Sequence, residues 1–158
     1  MYKTLAWHFV AGPEPHYRGG RPVVVGETLR HDGPLVMCRS GLHASVRAID
    51  ALQYSPGPWA CLVECGGEIA YGTEKLVCTA RTPLWCCDAT EHLRLFAREC
   101  APDVVREYLE TGAEELRDAA WGAAWDAARD AAWGAWGAAR TKQNIVLESL
   151  LMDLPNGI

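Results

Sequence analysis

Two histidines stand where an imidazole could do chemistry. His8 lies in the apolar run Thr4–Val10, and His43 lies in Ser40-Gly41-Leu42-His43-Ala44-Ser45, where a short strand meets a helix. A histidine can exchange a proton near neutral pH or offer a ring nitrogen to a ligand. Loops at strand-to-helix junctions present polar groups to solvent, which favours His43 as a ligand-site residue. Trp7, Phe9 and Val10 surround His8 with apolar side chains, which favours a core histidine with satisfied hydrogen bonds. No Ser-His-Asp set, P-loop, HExxH helix or Rossmann fingerprint accompanies them.

Seven cysteines stand at 38, 61, 65, 78, 86, 87 and 100. Their odd number and their place in apolar, strand-like runs argue for thiols in a reducing cytoplasm rather than a disulfide scaffold. No CxxC pair is present: Cys61 and Cys65 are four apart, and Cys86 and Cys87 are adjacent. On strands these spacings favour small buried side chains over a metal site.

The elements that must position these groups read as an α+β arrangement. Thr4–Val10, Pro22–Leu29 and Leu35–Cys38 are strand-like, and Ala11–Gly20 is a Gly/Pro-rich loop. Ser45 has the residue type to cap a helix over Val46–Tyr54, which Ser55-Pro56-Gly57-Pro58 ends. Trp59–Glu64 and Glu68–Tyr71 suggest a hairpin turned at Cys65-Gly66-Gly67, followed by strands Leu76–Ala80 and Pro83–Cys87. Asp88 and Glu91 have capping-box spacing ahead of a helix Ala89–Cys100, and Pro102 opens another to Glu110. The expected organisation is a compact β-rich body with short helices over 1–110 and a long C-terminal Ala/Trp-rich helical tail over 111–158.

Within that tail, over 117–140, Arg117, Trp121, Trp125, Arg129, Trp133, Trp136 and Arg140 recur at gaps of four with a single gap of three, the remaining positions being mainly Ala, Gly and Asp. The large residues fall in one arc of about 160° and leave a smooth Ala face opposite. Beyond it, over 145–154, Leu147, Leu150, Leu151 and Leu154 form an apolar stripe. Four solvated tryptophans would expose ~600–1000 Å², more than a monomer usually shows. A helix over 112–139 would be about 42 Å long, against about 34 Å for the body. Self-association is therefore expected through Trp121, Trp125, Trp133, Trp136, Leu147, Leu150 and Leu151.

The chain has 158 residues, 49% hydrophobic and 22% charged, which suits a folded domain rather than disorder. A net charge of −5 gives no broad basic field for nucleic acid or an anionic membrane. No apolar run reaches the ~18–20 residues of a membrane span, and Met1–Val10 reads as a first strand rather than a signal peptide.

Leu5-Ala6-Trp7-His8-Phe9, the block His31–Ser45, Tyr54-Ser55-Pro56-Gly57 and the Ala/Trp tail resemble an uncharacterised family of small phage and bacterial proteins. That resemblance implies no activity. A second resemblance is to poly-ADP-ribose-polymerase-like transferases. His8 is similar to their early strand histidine, and Gly41-Leu42-His43-Ala44-Ser45 to their strand end, with His43 in place of Tyr. Ala51–Tyr54 and Ala60–Glu64 follow in the same order, while Phe9 replaces the usual Gly. This resemblance implies NAD as cofactor and a pocket drawing on His8, His43, Tyr54 and Glu64. Two functions are thus expected in competition. One is an interaction or regulatory protein with a binding body and a self-associating tail, meeting a host protein or a small ligand. The other is an ADP-ribosyltransferase-like or nucleotide-binding protein.

Overall fold

The computed structural model describes residues 2–12, 14, 17, 20–100 and 138–154. The elements are β1 (Thr4–Val10), β2 (Leu29–Arg30), β3 (Leu42–Ala44), α1 (Ala48–Leu52), β4 (Trp59–Tyr71), β5 (Leu76–Asp88), α2 (Thr90–Cys100) and α3 (Ala138–Met152). The sheet is antiparallel, ordered β1-β4-β5-β2, with β3 also on β5. Immediately after β3, Ser45 exchanges backbone hydrogen bonds with Trp7 of β1. Backbone pairing therefore runs β1–β4–β5–β3–β1, and the sheet closes on itself with an inner and an outer face.

Strand alternation sorts the side chains between those faces. Ala6 and Val10 of β1, Leu42 and Ala44 of β3, and Cys61, Val63 and Cys65 of β4 pack inward. Trp7 and Phe9 point outward and meet Ile49 and Leu52 of α1, Leu93 and Phe96 of α2, and Leu147 and Leu151 of α3. Trp7 also stacks edge-on with Trp85, ring centroids 5.7 Å apart.

The long β4–β5 hairpin departs from the expected four strands. Cys65-Gly66-Gly67 is a bulge rather than a turn. Gly66 pairs with Ala80 and Ile69 with Cys78, so β4 carries one residue more than β5. Gly67 takes φ +73°, and Thr79 Oγ1 accepts the Glu68 N–H where the ladder breaks. A second shift sits at Leu62/Val63, where Leu84 is the extra residue and Pro83 is accommodated inside a strand. The chain reverses instead at Gly72–Lys75, closed by the Gly72 N–H to the Lys75 carbonyl at 2.7 Å. The expected strands at Pro22–Leu29 and Leu35–Cys38 shrink to an isolated bridge residue at Pro22, β2, and a bridge between Val36 and Ser40.

Ser45, committed to Trp7, makes no cap for α1. Its first N–H groups are met from α3: the Asn144 side-chain oxygen accepts from Ile49 at 3.0 Å and a Glu148 carboxylate oxygen from Ala48 at 3.1 Å. Asp88 does act at the start of α2, accepting the Thr90 N–H at 2.9 Å. The expected Ala/Trp helix falls largely on 101–137, outside the described residues, and with it Trp121, Trp125, Trp133 and Trp136. What is described of the C-terminal region is the single helix α3. Leu147 and Leu151, expected at an interface with another chain, are fully buried against α1, α2 and the outer sheet face, and Leu150 is partly buried there. Their apolar stripe is spent on the chain's own core. Among the described residues, no helix is long and apolar enough to cross a membrane.

Candidate functional site

The inner face of the sheet holds a polar group among its apolar side chains. His8 projects inward from β1, opposite Cys61. Tyr17 lies over it, ring centroids 5.7 Å apart. Arg81, opposite Cys65 on β5, is only 3% exposed. Its guanidinium lies 4.6 Å from the Tyr17 ring centre and donates from Nη1 to the His43 carbonyl. The guanidinium and the Tyr17 hydroxyl are also hydrogen-bonded, while the buried Arg81 Nε–H has no partner among the described residues.

Electrostatics follow from this burial. Desolvation holds His8 well below the ordinary histidine range, and the nearby Arg81 and His43 push it the same way, so its imidazole is neutral. Burial raises the Tyr17 phenol against the pull of Arg81. Desolvation lowers the Arg81 guanidinium, which nonetheless keeps its charge at neutral pH. Cys65 and Cys78 are hydrogen-bonded to each other, which raises Cys65 and lowers Cys78. The single Cys78 thiol proton is shared between the Leu42 carbonyl at 3.3 Å and the Ala80 carbonyl at 3.1 Å. Burial pushes the half-buried Cys87 thiol up to about 11, which leaves it a poor nucleophile.

The four residues expected to form one pocket are only partly brought together. His8 and His43 are close enough to influence one another's charge. The His43 ring, however, is occupied by local backbone. Its Nε2 accepts the Cys38 N–H at 2.9 Å, and Gly41 hydrogen-bonds it as well. This pins a tight turn in which Cys38 adopts φ 66°, so the ring serves the loop rather than a substrate. Desolvation lowers the His43 pKa against the Gly41 bond. Tyr54 is exposed; its hydroxyl donates to Glu74 at 2.9 Å, and the Lys75 ammonium sits 4.0 Å above its ring. Glu64 pairs in register with Leu5, on the outer face, and forms an ion pair with Lys3 at 2.7 Å. It borders an open depression of about 530 Å³, lined by polar residues that include Arg30, Glu68 and Thr82. His8 and Glu64 thus lie on opposite faces of one sheet, and the four residues do not form the cleft that NAD would need.

The cysteines also differ from expectation at one pair. Cys61 and Cys86 stand directly opposite each other on β4 and β5 and are joined as a disulfide, Cα atoms 4.1 Å apart. Strand register, not sequence spacing, makes them neighbours. Among the described residues, no three His, Cys, Asp or Glu side chains are grouped to hold a metal ion.

A family model described as a domain of unknown function, DUF7666, matches residues 14–95. The chain belongs to that family. The DUF7666 match contains Tyr17, His43, Cys65, Cys78 and Arg81, and leaves His8 on the strand before it. No curated protein and no solved structure matches the chain. Arg81 and Tyr17 are the residues that sequence reasoning missed. An arginine in a Thr/Ala-flanked strand gives no sign of facing inward, because the bulge that sets its direction is itself hidden in Gly66-Gly67.

Proposed function

We propose that this DUF7666 protein is an interaction or regulatory protein, with the β-rich body as a binding module and the Ala/Trp segment 117–140 as a self-association element. The observation that carries a binding module over a transferase is strand alternation: His8 lies on the inner face and Glu64 on the outer. A ribosyl cation would need both at one point. The occupied ring of His43 supports the same choice. The resemblance to small phage and bacterial proteins favours a phage-derived factor that meets a host protein in the cytoplasm. For the tail, the support is the tryptophan arc, whose area exceeds what a monomer leaves in water.

The test joins mass to ligand response. Light scattering should give a multiple of the chain mass for the wild type and a smaller species for a Trp125→Ala, Trp133→Ala double variant. NAD should stabilise the protein no more than an equal concentration of inorganic pyrophosphate. A monomeric wild type whose melting temperature rises specifically with NAD, and loses that rise in His8→Gln, would overturn the reading in favour of the transferase.

A further inference from the structure

The loop between β2 and β3 is held by two imidazoles that differ in kind. His31, at its start, shares a hydrogen bond of 3.0 Å between Nε2 and the Ser40 hydroxyl. His43, at its end, accepts the Cys38 N–H on Nε2 at 2.9 Å. A hydroxyl can donate or accept, so the first bond is open to a neutral or a protonated ring. A backbone N–H can only donate, so the second exists only while Nε2 keeps its lone pair. The neutral His43 ring then carries its proton on Nδ1, where the Gly41 backbone bond favours it. A second proton leaves the Gly41 bond in place and sets Nε2–H against the Cys38 N–H, donor against donor. The base of the loop has its own closure, since Val36 and Ser40 exchange backbone hydrogen bonds of 2.9 and 2.8 Å. Beyond that base, Cys38 holds φ 66°, a conformation that a non-glycine residue keeps only when its surroundings impose it. Met37 lies against the β4–β5 reversal, so closely that a Cβ on Gly72 would stand 3.2 Å from its Cε.

We propose that His43 is a proton-operated latch on the loop tip. Neutral, it holds Met37-Cys38-Arg39 against the β4–β5 reversal; protonated, it releases them, while His31 and the Val36–Ser40 bridge keep the base closed. The charged and titratable groups that face the ring are Lys75 beside the reversal, Arg81 on β5 and His8 on β1, with no carboxylate of the described residues among them. Desolvation, joined by Lys75 and Arg81, outweighs the Gly41 bond, so release falls on the acid side of the ordinary histidine midpoint of about pH 6.5.

The test follows Cys38 and His43 together by NMR of the full chain, from about pH 7.5 to about pH 4.5, either side of the ordinary histidine value. Labelling cysteine alone with nitrogen-15 leaves seven amides, of which Cys38 is the one lost in Cys38→Ser. The His43 ring-carbon proton is the one lost in His43→Gln. The Cys38 amide should shift with the midpoint of the His43 ring, and its protection against hydrogen exchange should fall about tenfold, as expected for one lost hydrogen bond. The Cys61 and Cys65 amides, inside β4, should stay protected throughout. His43→Gln offers an acceptor oxygen that does not titrate, so its Cys38 amide should ignore pH. A Cys38 amide unmoved while the ring titrates, a ring still neutral at the acid end, or a Cys38 response that comes only with loss of Cys61 and Cys65 protection overturns the latch. Should His43→Gln fail to fold, His43→Asn supplies the assignment and the two midpoints in the wild type decide.

Discussion

The two faces of the sheet are built on different terms. The outer face meets three helices through a continuous apolar layer, from Trp7 and Phe9 to Phe96, Leu147 and Leu151. The inner face is largely buried too but admits the partly buried His8 together with Tyr17 and Arg81 among Ala, Val, Leu and Cys. Apolar packing is the cheaper way to fill a core, and the outer face shows that this chain can do it. The polar inner face therefore carries a cost that the outer face avoids. The contrast also shows what the helices do: they brace the sheet from outside.

The largest effect should come from the outer face. Leu147→Ala removes a fully buried side chain and should cost about 2–5 kcal/mol in denaturant unfolding. A loss below about 0.5 kcal/mol, the range of an inconsequential surface change, would mean that α3 does not belong to the core. Next comes the tertiary cap on α1. Asn144→Ala leaves the buried Ile49 N–H without its acceptor and should cost about 1–3 kcal/mol, while Ser45→Ala should leave α1 intact by circular dichroism because only the Ser45 backbone is engaged.

The inner face should show itself in pH dependence rather than in a single large loss. His8 and His43 both have folded pKa values below the ordinary histidine value. The unfolded chain therefore takes up protons first as pH falls. Stability is full above about pH 6.5 and declines as pH drops below it, toward the folded values. His8→Gln should flatten that decline, read as melting temperature between pH 7 and pH 5; an unchanged slope would place His8 in water. The smallest effect belongs beyond the helices, where Glu64→Gln breaks the exposed Lys3 ion pair and should change stability by less than about 1 kcal/mol.

Local chemistry made part of this legible in sequence. Thr4–Val10 is a strand with the bounds its apolar run suggests, Asp88 starts α2, and the leucine stripe marks a face of α3. What was not legible depends on partners distant in the chain. Ser45 has the residue type of a cap, but Trp7 claims its backbone and Asn144 and Glu148 supply the cap from nearly a hundred residues away. Gly66-Gly67 has turn chemistry, yet the pairing of β3 with the far end of β5 extends the hairpin and reduces the glycines to a bulge. The inward turn of Arg81 follows from that bulge, so the residue central to the site carried no local signal. His8 had the right residue type, and its apolar neighbours Trp7 and Phe9 turned out to serve the opposite face.

The central claim is that the inner face is a desolvated environment holding a neutral imidazole beside a guanidinium that has no carboxylate partner among the described residues. It is tested most directly by following the ring-carbon proton of His8 through a pH titration by NMR, with the signal assigned in His8→Gln. The account predicts that His8 stays neutral at pH 6, where an ordinary histidine is already largely protonated, and that its transition lies well to the acid side. A His8 that titrates at or above pH 6.5 would contradict the account, because a ring in that state is either solvated or paired with an anion that the described residues of the inner face do not supply.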